Sequence, residues 1–393
     1  MPASRREFLA APIILQGGQP SPNDRIRIGL IGAGGRSRDL QMELRRSGEN
    51  VQVAAVCDVW KTNREATAAQ MEKQYGAPPF TCTRYQDLLA RKDIDAVLIA
   101  TPDFTHPRIL MDAVAAGKDA YVEKPFAVEF DEGKAAYLAV KNSDRIVQVG
   151  TQRRSDPGLM GAAKAIQAGA IGKVTRIETH VNFQEPRWRR DHHMIKAEDV
   201  DWEAFSFNGR VKGGFDARKF REWQLFRETT NGIAGLWMCH FIDLVPWFLQ
   251  DPYPKSAVTQ GGVYYWKDGR QTSDVFHSLV EYNDCLVSFE MSLTNASGNR
   301  NVWYGTLGTL DGDKLVMMPE GSRDPNRLTE ARPVERVQTD SHMANFLKCV
   351  RSRQQPRADV QAGFSHAVPV CMAAVALETG RRVKFDKEKL ELA

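Results

Sequence analysis

The stretch from Arg25 to Asp58 constrains the fold more than any other part of the 393-residue chain. Ile26-Arg27-Ile28-Gly29-Leu30-Ile31 reads as a short apolar strand that runs straight into Gly32-Ala33-Gly34-Gly35-Arg36-Ser37. A helical stretch follows over 38–46, and a second strand over 51–57 closes on Asp58. Each part has a physical task. Gly32 permits a tight turn, and Gly34 leaves backbone open that a side chain would cover. Gly35, Arg36 and Ser37 lead into the helix, whose free N–H groups and positive dipole end hold phosphate. Asp58 stands about 20 residues beyond the loop, where a carboxylate accepts the hydroxyls of a ribose. The pattern predicts a dinucleotide site. Ser37 takes the place of a third glycine and is small enough for close helix–strand packing. Asp58 would repel a 2′-phosphate, which favours NAD over NADP, while Lys61 and Arg64 lie near enough to keep NADP open.

Strand and helix patterns go on alternating. A buried strand over 94–100 precedes Thr101-Pro102-Asp103-Phe104-Thr105-His106 and a helix over 107–116. A short strand over 120–122 ends in Glu123-Lys124-Pro125. A helix over 130–142 and a strand over 146–149 then lead to Gly150-Thr151-Gln152-Arg153. Such alternation predicts an α/β domain over 25–150 with a doubly wound parallel sheet, its ligands at the carboxyl ends of the strands. All three turns lie at such ends.

The second half changes character. A helix over 157–168, a strand over 173–183 and a polar, aromatic loop to about 226 precede five β-rich runs, over 256–266, 275–282, 286–293, 302–307 and 315–318. Strands without intervening helices predict an α+β domain over 151–340 with a large, mostly antiparallel open sheet. Helices over 342–351 and 360–380 are expected to pack back on the first domain, so that 341–393 forms a tail.

Composition excludes several classes. Hydrophobic residues make up 42% and charged residues 26%, as in an ordinary globular enzyme. With 53 basic and 49 acidic residues the net charge is +4, which gives no reason to expect a nucleic-acid partner. No uninterrupted apolar run approaches the roughly 18 residues of a membrane span. The six cysteines are scattered without a C-x-x-C pair, which argues against a zinc ribbon or a disulfide scaffold. Adjacent His192 and His193 have no nameable partner ligands, so no metal is assigned. At the N-terminus, Ser4-Arg5-Arg6-Glu7-Phe8-Leu9 matches the twin-arginine export pattern and precedes a short apolar stretch, so 1–24 is read as a leader to the periplasm, the alternative being a degenerate leader on a cytoplasmic protein.

The glycine loop, Asp58, Ala100-Thr101-Pro102-Asp103 with His106, Glu123-Lys124-Pro125 and Gly150-Thr151-Gln152 occur together in this order and spacing. They resemble the Gfo/Idh/MocA family, named for glucose–fructose oxidoreductase, inositol dehydrogenase and a rhizopine catabolism protein. The resemblance runs from Arg25 to about residue 386. It implies hydride transfer between NAD and a carbinol of a sugar, glycoside or cyclitol. Gly32, Gly34, Gly35, Arg36, Ser37, Asp58, Thr101, Pro102, His106, Glu123, Lys124 and Gln152 would then face the cofactor. Lys124 would position the substrate hydroxyl and assist its proton loss. His240 matches the family's helix histidine, an acid–base partner, but Leu236 stands where the family carries an aspartate. A carboxylate there fixes the imidazole tautomer and raises its basicity, so the departure bears on the chemistry.

Asp243 is one candidate substitute for that aspartate. Arg153, Arg187, Trp188, Trp237 and Asp243 are the candidate substrate-binding residues, the Arg–Trp segments suiting a carbohydrate. Net glycoside cleavage or elimination through transient oxidation, and a nucleotide sensor without turnover, are the alternatives. The open sheet is expected to form a homodimer or homotetramer, as in the family.

Overall fold

The computed structural model describes residues 25–393. The proposed leader lies outside the described residues.

The first domain interleaves β1 (Ile26–Ile31), α1 (Gly35–Arg46), β2 (Val51–Cys57), α2 (Lys61–Tyr75), β3 (Phe80–Cys82), α3 (Tyr85–Leu89), β4 (Ala96–Ile99), α4 (His106–Ala115), β5 (Asp119–Val122), α5 (Phe130–Lys141) and β6 (Val147–Val149). Its six strands are all parallel in the order β3-β2-β1-β4-β5-β6. That is the doubly wound order, and the direction in which successive strands are added reverses between β1 and β4, where a ligand crevice opens beyond the strand ends. Leu30, Val56 and Leu98 pack against α1 on one face, whereas Ile31, Val97 and Val122 pack toward α4 and α5 on the other. Burial on both faces explains why these strands read as largely apolar runs rather than alternating ones.

The second domain begins with α6 (Pro157–Gln167), whose first turn is capped by the Asp156 carboxylate on the Gly158 and Leu159 N–H groups. Then come β7 (Val174–Asn182), α7 (Trp202–Ser206), α8 (Ala217–Arg221), a π-turn (Ala234–Met238), α9 (Cys239–Ile242) and α10 (Leu244–Leu249). Strands β8 (Ser256–Gly262), β9 (Val275–Glu281), β10 (Leu286–Ser292), β11 (Arg300–Gly305), β12 (Thr309–Asp311), β13 (Val316–Met318) and β14 (Arg332–Pro333) build the sheet. Helices α11 (His342–Ser352) and α12 (Val360–Thr379) and strands β15 (Val383–Asp386) and β16 (Glu391–Leu392) complete the chain. The ten strands run β14-β13-β12-β11-β7-β10-β9-β8-β15-β16, antiparallel except that β7 pairs parallel with β10.

Two expectations are corrected here. The tail is not helical throughout, because β15 and β16 extend the ten-stranded sheet beside β8. It also serves both domains: α11 lies against α1, and α12 lies against α5 on one side and β8 on the other. Moreover, α12 is long and apolar enough to cross a membrane, although Gln361, Ser365 and His366 interrupt its apolar sequence. It is mostly buried and forms the shared core of the two domains, to which Phe364, Val368, Val370 and Met372 contribute.

Candidate active site

The glycine loop opens into a cavity of about 690 Å³. Gly32 adopts φ +90°, and a Cβ there would stand 2.6 Å from the Ala100 carbonyl oxygen, so only glycine fits. A Cβ on Gly34 would meet nothing within 4 Å, which leaves the backbone at the start of α1 open to the cavity. Asp58, at the end of β2, is buried; its two oxygens accept from Ala33 N–H at 2.6 Å and Trp60 N–H at 2.7 Å. Burial pushes its carboxyl upward, and those two donors oppose the shift. The Arg64 guanidinium donates to the Asp58 carbonyl at 2.8 Å. These residues fit a dinucleotide with free ribose hydroxyls.

Beyond the β4 and β5 ends, Glu123 is buried beneath Arg36 and Gln152. Arg36 Nε donates to it at 2.6 Å and Gln152 Nε2 at 3.2 Å. His106 ties two loops together, its ring nitrogens lying 2.9 Å from the Thr101 and Pro125 carbonyl oxygens. The Lys124–Pro125 peptide is cis. Lys124 Nζ donates to the Leu236 carbonyl at 3.2 Å, across to the π-turn of the second domain. Single π-turns free carbonyl groups from the regular helical ladder and recur at functional sites. Here the carbonyl that meets Lys124 belongs to the π-turn residue that replaces the family aspartate.

His240 lines the same cavity as Lys124. Burial pushes its imidazole proton affinity well below the usual histidine range, and the charges of Lys124 and Arg153 push the same way. The ring is therefore neutral near pH 7. Asp103 also lines the cavity, 4% exposed, and accepts from Thr230 Oγ1 at 2.9 Å.

Comparison with known proteins agrees with this geometry. A profile described as an oxidoreductase family with an NAD-binding Rossmann fold matches residues 26–151. The GFO/IDH/MocA C-terminal domain profile matches residues 203–311. The chain belongs to the Gfo/Idh/MocA family. Its first domain is that family's NAD-binding Rossmann domain. A scyllo-inositol 2-dehydrogenase (NAD(+)) from Bacillus subtilis is 40% identical over 106 residues, 27% of this chain and 31% of that protein. An inositol 2-dehydrogenase from Rhizobium meliloti is 32% identical over 152 residues, 39% of this chain and 44% of that protein. The matches thus span less than half the length of these two relatives. Among solved structures, the WlbA dehydrogenase from Bordetella pertussis, in complex with NADH and UDP-GlcNAcA, has a TM-score of 0.69 at 20% identity. It covers 92% of this chain and 99% of its own. A levoglucosan dehydrogenase in its apo form has a TM-score of 0.68 at 16% identity, covering 92% and 98%. These two likenesses establish the two-domain fold.

Within this Gfo/Idh/MocA chain, Gly32, Gly34, Gly35, Arg36, Asp58, Thr101, Pro102, His106, Glu123, Lys124, Gln152 and His240 all line the cavity. Ser37 does not; it is 1% exposed and packs beneath the loop. None of the five candidate substrate residues lines the cavity. Asp243 is 1% exposed, and both its oxygens are taken by Arg154 Nε at 2.9 and 3.0 Å. It is a buried structural ion pair rather than a substrate ligand or a stand-in for the missing aspartate. Arg153 Nη1 donates to the His240 carbonyl at 3.1 Å, Trp237 meets the His240 ring edge-on at 6.2 Å, and Arg187 lies over Trp237 at 4.7 Å. Arg153 and Trp237 thus contact His240 directly, and Arg187 reaches only as far as Trp237. Trp188 takes a left-handed backbone, φ 68°, and packs against the core.

The segment over 183–231 folds across the cofactor cleft. Val200 bridges to Trp60, Asp201 N–H donates to the Val59 carbonyl at 2.9 Å, and Arg84 pairs with Glu203 at 3.2 Å. Phe220 meets the Trp60 ring edge-on at 5.8 Å. Phe205 and Val211 join Phe104 and Val128 in a small core of their own. Two arginines of this strap are spent inside it: Arg189 and Arg218 both pair at 2.9 Å with Glu222, which has no exposed surface. The aromatic spacing of Trp202, Phe205, Phe207, Phe215, Phe220 and Trp223 carried the signal for an apolar underside.

Proposed function

We propose that the protein is an NAD-dependent oxidoreductase that acts on a CH–OH carbon of a sugar, glycoside or cyclitol. The observation that carries this reading is that Lys124 and His240, from different domains, face the single cavity into which the glycine loop opens. Bound NAD would supply the hydride acceptor. The N–H groups at the start of α1 hold phosphate, and Asp58 receives ribose hydroxyls. Lys124 is fixed on the Leu236 carbonyl and keeps further N–H donors for the substrate oxygen. Neutral His240 offers a ring lone pair to the hydroxyl proton. The relatives' names support cyclitols and sugars as the substrate class.

The test is absorbance at 340 nm with NAD and a panel of inositols, hexoses and methyl glycosides. At least one should give NADH, and Lys124→Met should lower kcat/KM by about a hundredfold or more. No NADH with any of the panel would sink this reading.

A second reading is favoured by the strap, which covers the Trp60 side of the cleft. A cofactor held there between turnovers suits transient oxidation followed by glycoside cleavage or elimination. Sugar release without net NADH marks that outcome, and retained NAD with no turnover marks a nucleotide sensor.

Two further proposals concern the whole protein. Leu279 and Leu286, exposed on adjacent strands of the large sheet, support self-association as a dimer or tetramer, which light scattering checks. The Ser4–Leu9 pattern supports export to the periplasm, which a reporter fusion checks.

A further inference from the structure

Two other arginines of the strap face the cofactor cleft without a carboxylate of their own. Glu222 is fully engaged: Oε1 accepts from Arg189 Nε at 2.9 Å and from the Arg190 N–H at 2.8 Å, and Oε2 accepts from Arg218 Nε at 2.9 Å. The Arg190 and Arg221 side chains are left over. Both line the cavity, and neither pairs with a carboxylate among the described residues. Arg190 Nη1 instead donates to Gln224 Oε1 at 2.9 Å, and Arg221 Cζ lies 5.5 Å from the centre of the Trp60 ring. The acidic groups that share the cavity are committed elsewhere. Asp58 is held by two backbone N–H groups, Glu123 by Arg36, Glu203 by Arg84 and Asp103 by Thr230.

Their placement matches the middle of a dinucleotide. Arg221 stands at the adenosine end, because the Trp60 beneath it donates its N–H to Asp58, the ribose-binding carboxylate. Arg190 stands nearer the nicotinamide end. It is tied to Gln224, beside Trp223, whose carbonyl accepts the Thr229 hydroxyl, and the next residue, Thr230, bonds Asp103 in the loop after β4. Asp103 in turn adjoins Gly235 of the π-turn that meets Lys124. The diphosphate joins the two riboses and so lies between these ends, by the open backbone at Gly34. We infer that Arg190 and Arg221 form a second phosphate-binding site, which holds the cofactor diphosphate from the strap side of the cleft. The N–H groups at the start of α1 grip the same phosphates from the Rossmann side, and two planar guanidinium forks complete the enclosure. A bound dinucleotide thereby ties the strap to the glycine loop. The inference needs the NAD-binding domain and no particular substrate.

The test is nucleotide binding to the full-length protein freed of NAD, followed by isothermal titration at low and high salt. The double variant Arg190→Gln/Arg221→Gln should bind NAD and ADP-ribose about ten to a hundred times more weakly than wild type. Its affinity should also respond less to salt, since two screened charge contacts are gone. Adenosine carries no phosphate, so variant and wild type should bind it within about threefold of each other. Lysine at both positions keeps the charge but loses the fork, and should recover part of the lost NAD affinity. Unchanged NAD affinity in the double glutamine variant overturns the proposal. If glucuronate binding to the NAD-loaded protein is lost instead, the arginines read a substrate carboxylate. Equal weakening of adenosine and NAD also overturns it, because that pattern marks a loosened strap and not a lost phosphate contact. The expected binding pattern in a protein that oxidises none of the sugars would sink the oxidoreductase reading and leave the phosphate site standing.

Discussion

At the scale of single residues, the site is governed by what burial does to charge. His240 has lost proton affinity to desolvation and to the cations Lys124 and Arg153, so it stays neutral well below the ordinary histidine range. A neutral imidazole is the form that takes a proton from a hydroxyl. His240→Gln keeps a polar side chain but removes a titratable base, and kcat should fall about a hundredfold. Since the His240 shift is downward, its own protonation does not begin near pH 6.5. The acid limb of the wild-type profile therefore belongs to another group, and it should persist unchanged in His240→Gln. A profile whose acid limb disappears with His240 would show that the imbalance of charge around it has been misread. Asp243 illustrates the opposite fate. At three residues beyond His240 its direction could not be told from spacing, and only the buried Arg154 guanidinium decides that it faces the core.

At the scale of elements, legibility followed burial. β1, β2, β4 and β5 are covered on both faces and appear in the sequence as largely apolar runs, and the turns that end them placed the cofactor loop, Glu123 and Lys124 on one edge. β12 and β14 span only three and two residues, too short for a period to register. β15 is a strand because β8 offers it an edge, a fact that lies more than a hundred residues away. The π-turn has no local signature, and it moves the Leu236 carbonyl onto Lys124.

The strap was the largest gap. Its charges read as a solvated or sugar-binding loop, yet Arg189, Arg218 and Glu222 neutralise one another inside it while its aromatics turn toward the Rossmann domain. Its grip on the cleft depends on Phe220 against Trp60 and on the Val200 bridge. Phe220→Ala removes one of those grips without touching Lys124 or His240. The rate at which preloaded NAD leaves the protein, followed by rapid desalting and absorbance, should rise by about tenfold or more if the deleted ring contributes a kcal/mol or two to closure. An unchanged release rate would show that the strap does not gate the cofactor.

At the scale of the whole molecule, the two domains are joined through buried histidines. His342 on α11 donates from Nε2 to the Val149 carbonyl at 3.0 Å and accepts the Ser155 hydroxyl at Nδ1, 2.8 Å away. His366 on α12 accepts the Phe126 N–H at 3.2 Å. Both bonding patterns require a neutral ring, and burial holds each imidazole at about 4.

An unfolded histidine takes up its proton near 6.5. The stability these two groups contribute is thus fully present above that pH, and it is lost as the pH falls from about 6.5 toward 4. From the size of the shifts, each accounts for about 2 to 3 kcal/mol of the loss between pH 7 and pH 4.5. Replacing His366 by Gln removes one titrating ring. Its urea-unfolding free energy is expected to be lower than that of wild type at pH 7, because the core packing is disturbed. It should also fall less steeply toward pH 4.5, by about 2 kcal/mol. Parallel stability curves for the two proteins over that range would show that the joint does not titrate. A shallower curve for the variant would place the acid sensitivity of the molecule where α12 binds the Rossmann domain to the sheet, the junction that also keeps Lys124 opposite His240.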